Sequence, residues 1–255
     1  MRLGLVTYNL ARDWELPTLI DHCTQTGFTG VELRTTHAHG VEPELDSVGR
    51  ERVRGLFAAT PVRLLGLGTT CEFHSPNPRE VRRNIERCAE FSELARDIGA
   101  TGVKVRPNGF PEGVPVERTL EQIGAALREC GEAAAGHGVQ VWLEVHGHGT
   151  SDPRHIRTIL DHADHPNVFA CWNSNPTDVD ATGSIREGFA LLADRIGHVH
   201  INELYRPEYP WRELFGLLRD AGYEGFCCAE LGQRSADPLT VMRYYRALFE
   251  ALSGP

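Results

Sequence analysis

The sequence predicts a closed parallel α/β barrel, a single (β/α)8 TIM barrel. Three observations carry that expectation. Short apolar runs rich in Val, Ile and Leu recur eight times, each followed by a polar turn and a longer segment of helical periodicity. Several of the helical segments stop at a glycine just before the next apolar run. The 255-residue length matches the roughly 250 residues that such barrels use as one unit.

The strands are expected in order at Leu3–Tyr8, Gly30–Leu33, Val62–Leu67, Gly102–Val105, Val139–Val145, Val168–Cys171, Ile196–Ile201 and Gly225–Ala229. Between and after them the helical period appears over Glu15–Thr26, Gly49–Ala59, Pro78–Ile98, Glu117–His137, Pro153–Ala163, Ile185–Ala193, Trp211–Ala221 and Pro238–Leu252. Gly27, Gly99, Gly138 and Gly222 suit the left-handed position after a helix C-terminus. No linker or low-complexity stretch divides the chain, so one barrel over residues 1–255 is the simplest organisation. An open doubly wound sheet uses the same βα units. Its glycine-rich phosphate turn is absent after the first strand, where Thr7-Tyr8-Asn9-Leu10-Ala11 follows.

Composition narrows the function classes. A hydrophobic fraction of 41% and a charged fraction of 24% describe a globular chain with material for a sizeable core. A net charge of −9 disfavours a nucleic-acid partner, because phosphates are repelled on average. No apolar stretch approaches the roughly 20 residues of a membrane span, and the first residues read as a strand rather than a signal segment, so the expected location is cytoplasmic. The 7 cysteines form an odd set without paired metal spacing and are expected as reduced, buried thiols. Cys227 and Cys228, adjacent in a strand, should point to opposite faces.

Strands buried on both faces have no use for charge, so polar residues at their C-terminal ends need a reason. Those ends form the mouth where barrel active sites lie. The fifth strand puts Glu144 and His146 on one face, the sixth Asn173 and Asn175, the seventh His198 and His200, and the eighth ends in Glu230. Four consecutive strands thus deliver metal-competent side chains to the same rim. Two carboxylates brought together there would repel each other unless a cation sat between them. Oxygen donors with an imidazole favour Mn²⁺, Mg²⁺ or Co²⁺, with Zn²⁺ left open.

On the segments GFTGVELR, WLEVHG, IGHVHINEL and GYEGFCCAEL the chain resembles the xylose-isomerase-like superfamily of sugar isomerases and epimerases, and the resemblance spans essentially the whole chain. It implies one divalent metal ion, Mn²⁺ first, held by Glu144, Asn173, His200 and Glu230, with His198 behind them. Asn173 stands where the family places an aspartate. Pro176 stands where ketose epimerases often place a histidine. The resemblance also implies a small-molecule carbohydrate substrate and a homo-oligomer.

The implied chemistry is proton abstraction beside a carbonyl, with Glu144 and Glu230 exchanging the proton. Lys104 and Arg106 leave the fourth strand on one face, and Arg206 follows His200 at the spacing of a substrate-binding arginine. These three can hold hydroxyls, a carboxylate or a phosphate, or pair with rim acids. His146 is expected to bind substrate or relay protons, while Glu32, His37 and His39 close the pocket. A lyase or dehydratase acting on keto-glycosides or inososes would use the same chemistry. Two further functions compete with these: an endonuclease-IV-like phosphodiesterase, which needs three zinc ions, and a non-catalytic sugar-binding barrel.

Overall fold

The computed structural model describes residues 1–254. Eight strands and eight helices alternate: β1 (Arg2–Val6), α1 (Leu16–Thr26), β2 (Gly30–Arg34), α2 (Ser47–Ala58), β3 (Arg63–Glu72), α3 (Pro78–Ile98), β4 (Gly102–Arg106), α4 (Val116–Ala135), β5 (Gln140–Glu144), α5 (Pro153–Ala163), β6 (Val168–Asn173), α6 (Arg186–Leu192), β7 (Ile196–Ile201), α7 (Trp211–Asp220), β8 (Phe226–Ala229) and α8 (Pro238–Ser253). Each strand pairs in parallel with the next, and β1 pairs with β8 to close the barrel. The expected fold is the observed one.

Local chemistry sets the helix boundaries. Gly27 and Gly99 adopt the left-handed conformation directly after α1 and α3, which a Cβ would disfavour. At the other ends, the side chains of Asp46, Asn77, Asp152 and Asp237 each accept a backbone N–H from the first turn of α2, α3, α5 and α8. The Asp46 cap moves the start of α2 to Ser47, two residues before the expected Gly49. β3 runs on to Glu72, well beyond the expected end at Leu67. Its polar tail of Thr69, Thr70 and Glu72 does not resemble a buried strand in the sequence.

Two apolar clusters result. The large one lies between the sheet and the helices and includes Leu5, Val31, Leu67, Val103, Leu143, Ile201 and Cys227. The small one, Val6, Leu65, Phe226 and Cys228, fills the floor of the barrel. Cys227 and Cys228 therefore face opposite sides of β8, and all seven cysteines are buried and free. Among the described residues, no helix is long and apolar enough to cross a membrane.

The floor also fixes one aromatic ring beneath the mouth. A Cβ on Gly66 or Gly102 would overlap the Trp142 ring. With glycine at both positions, the ring lies across the barrel and stacks on His198, with centroids 4.2 Å apart and planes 5° apart. A Cβ on Gly68 would likewise occupy the place of the Glu32 carboxylate.

Candidate active site at the C-terminal rim

Above that floor sits a buried carboxylate and imidazole network. Glu32, on β2, is fully buried, and its Oε2 accepts a hydrogen bond from His200 Nε2 at 2.8 Å. His198 Nε2 lies 2.9 Å from the same oxygen. Burial alone would raise the Glu32 pKa, but the two histidines outweigh it and hold the carboxyl well below the usual range. His198, buried and stacked on Trp142, is pushed down by desolvation despite Glu32.

With Nε2 tied to Glu32, the Nδ1 of His200 faces the other way. It lies 3.6 Å from Glu144 Oε1 and 3.8 Å from Glu230 Oε2. Ligand atoms of Glu144, His200 and Glu230 all fall within 4.8 Å of one another. Glu144 Oε1 also accepts from Asn173 Nδ2 at 3.2 Å, and its Oε2 pairs with the buried Lys104 Nζ at 2.7 Å.

The two carboxyls are driven apart. Burial raises both, but Lys104 and His200 overcome it at Glu144, whose pKa is strongly lowered. At Glu230 burial prevails, reinforced by the Glu144 charge, and the pKa is raised. The two neighbouring carboxyls thus have their proton affinities pushed in opposite directions, the trend that suits one to a base's role and the other to an acid's.

The donor set fits a divalent cation. His200 Nδ1 and Asn173 Oδ1 are buried beside the two carboxyls without a hydrogen-bond partner, a state that carries a desolvation cost unless something occupies the space between them. Two carboxylate oxygens, an amide oxygen and one imidazole nitrogen make a hard, mixed O/N set suited to Mn²⁺, Mg²⁺, Co²⁺ or Zn²⁺. The neutral Asn173 leaves two negative charges in the set.

A cavity of about 260 Å³ opens over these residues, lined by Lys104, Arg106, Glu144, His146, Asn173 and Glu230 among the positions anticipated from sequence, together with Tyr8, Arg34, Asn175 and Asn202. Arg106 pairs with Glu72 at the cavity wall. His146 presents a buried Nδ1 without a partner. Glu32 and His198 lie beneath the cavity rather than on its lining. Arg206 also lies off it, half exposed and 3.5 Å from Glu203. His37 and His39 do not line it either, and both ring nitrogens of His39 serve the backbone at Arg34 and Val41.

Arg34, like Tyr8 and Asn202, is a cavity residue that the sequence alone does not single out. It ends the GVELR segment, and the two-residue period from Glu32 is the one signal that points to it.

A family model described as xylose isomerase-like TIM barrel matches residues 20–251. No curated protein matches the sequence. Among solved structures, a D-psicose 3-epimerase superposes with a TM-score of 0.82 at 15% identity, covering 100% of both chains. A 3-keto-D-glucoside 4-epimerase from E. coli gives 0.80 at 18% identity, covering 98% of this chain and 99% of the other. The IolI protein with a bound zinc atom gives 0.80 at 15%, covering 99% and 98%. At these identities the likeness is one of fold.

Proposed function

The chain belongs to the xylose isomerase-like TIM-barrel family, and on that basis we propose that it is a divalent-metal-dependent isomerase or epimerase of a sugar or keto-sugar. The observation that carries the proposal is the Glu144, His200 and Glu230 trio, within 4.8 Å, with its two carboxyls pushed in opposite directions. The fold likeness to two sugar epimerases supports the substrate class.

Glu144, Asn173, His200 and Glu230 would hold the ion, with Mn²⁺ the first choice. A bound divalent ion would supply Lewis-acid polarisation of the substrate carbonyl and stabilise the charge that develops on deprotonation. Glu144, ionised and steadied by Lys104, is placed to take the proton from the carbon beside the carbonyl. Glu230, whose proton affinity burial and the Glu144 charge raise, is the group that would deliver one. His146 and Asn175 offer further polar groups at the cavity wall to hydroxyls. The reaction is read as occurring in the cytoplasm on a small soluble substrate.

The test is proton exchange. Metal-loaded protein should incorporate solvent deuterium beside the carbonyl of a ketose or keto-glycoside, and chelator-treated protein should not. Exchange that persists without metal, or no exchange with any such compound, would refute the reading.

A further inference from the structure

Arg34 stands apart from the other cations of the cavity. Lys104 is committed to Glu144 at 2.7 Å, and Arg106 is committed to Glu72. The nearest carboxylate to Arg34 is Glu230, with Oε1 3.8 Å from NH1, beyond hydrogen-bond reach. Among the described residues its guanidinium donates no hydrogen bond; only its backbone N–H and carbonyl are engaged. The guanidinium lies over the Tyr8 ring, 4.6 Å from the centroid, and its side chain is 23% exposed at the cavity edge. A planar fork of donors is thus braced from one side, by stacking, and left open on the other.

The charges around the cavity point the same way. Arg34, Lys104 and Arg106 face Glu144, Glu230 and Glu72, three cations against three acids. Asn173 contributes no fourth acid. A divalent ion held by Glu144, Asn173, His200 and Glu230 adds two positive charges, of which the buried Glu32 behind His200 answers one and no protein carboxylate answers the other. A buried surplus of that kind is costly unless the ligand brings negative charge.

We propose that Arg34 receives an oxyanion of the substrate, so that the enzyme acts on an anionic keto-sugar, a carboxylate or phosphate form, in preference to a neutral one. A guanidinium fork matches the paired oxygens of either group. This rests on the isomerase reading above and gives it a substrate class. Arg34 is then a specificity residue, and Tyr8 is the platform that positions it.

The test compares matched probes on the metal-loaded full chain. The four D-2-ketohexoses, their 6-carboxylate forms and their 6-phosphates are each followed for solvent deuterium incorporation. One anionic set is expected to exceed the neutral set in kcat/KM by about 100-fold or more, the size of effect when a site built for a polar group loses it. Whichever set wins identifies the oxyanion. R34M should lower kcat/KM for the anionic set by much more than for the neutral set, bringing their ratio toward one, while R34K should retain part of the preference. Equal or better turnover of neutral ketoses in the wild-type protein would overturn the proposal, as would an R34M variant that slows both sets alike.

The wild-type comparison decides even where a variant fails to fold. Should no probe exchange deuterium, the isomerase reading fails, and calorimetric binding of the same probes settles the Arg34 inference separately. Tighter binding of the anionic forms supports it, and equal binding overturns it.

Discussion

Glu32 and His200 form a tie that faces His200 toward the cavity: Oε2 accepts the hydrogen bond of Nε2 at 2.8 Å, and Nδ1 is left to Glu144 and Glu230. A carboxylate behind a metal-binding histidine fixes its tautomer and raises its basicity. E32Q keeps the size of the side chain but allows the amide to present a donor to the ring. Metal affinity is expected to fall by roughly 10- to 100-fold with the circular dichroism spectrum unchanged, measured by competition with a chromogenic chelator. An unchanged affinity would remove Glu32 from the account.

Lys104 carries a different burden, because it neutralises Glu144 inside the barrel. In K104M the carboxylate loses its buried partner, and breaking such a pair costs about 3–5 kcal/mol. In the presence of chelator the melting temperature should drop by on the order of 10 °C for a chain of this size. Added Mn²⁺ should recover much of it, since the ion supplies the missing positive charge. A loss that Mn²⁺ does not relieve would mean that Glu144 is not a ligand.

The support extends down to the floor. A Cβ at Gly102 would overlap the Trp142 ring that stacks on His198. G102A should therefore destabilise by about 1–3 kcal/mol, the usual range for overpacking a core, and should lower metal affinity as well. A G216A control, at a helix position with nothing within 4 Å of the added atom, should leave metal affinity unchanged. Denaturant melts and metal titrations on both variants check this.

Most of the fold and much of the site are legible in the sequence. The eight βα phrases announce the barrel because parallel strands must be apolar on both faces, and helix stops need Gly27, Gly99 and their counterparts. Glu144, His200 and Glu230 are visible as charge at strand ends, where nothing else explains it. Glu32 is visible too, yet its place beneath the cavity is not. A residue's depth along a strand depends on the stagger of the closed barrel, which the sequence of one strand does not encode. Arg34 is hidden for a related reason: an arginine at a strand end reads as a surface residue until Tyr8, just past the end of the neighbouring β1, comes beneath it. The polar end of β3 is lost because period-2 apolarity stops at Leu67 although pairing does not.

Asp178 offers a test through pH. Burial pushes its carboxyl up from 3.8 to about 7, against hydrogen bonds from Asn175 and Tyr209. The folded chain therefore holds a proton there that the unfolded chain has already lost between these values. Its stabilising contribution is full below about pH 4 and is lost as pH rises through 7, amounting to at most about 4 kcal/mol. D178N retains an acceptor for the Asn175 N–H and carries no charge. It should raise the melting temperature above pH 8 and give little or no gain at pH 4, read from thermal melts across that range. A variant equally stabilised at both pH values would contradict the buried-acid account.

The central claim is that Glu144 and Glu230 work as a base and acid pair beside a bound divalent ion. Its most direct test is solvent deuterium incorporation into substrate by metal-loaded E230Q, with bound metal measured on the same sample by elemental analysis. The expected result is metal still present, at reduced affinity, with exchange lowered by at least about 100-fold, the scale of a general acid–base contribution. An E230Q protein that carries its metal and exchanges deuterium at the wild-type rate would contradict the account.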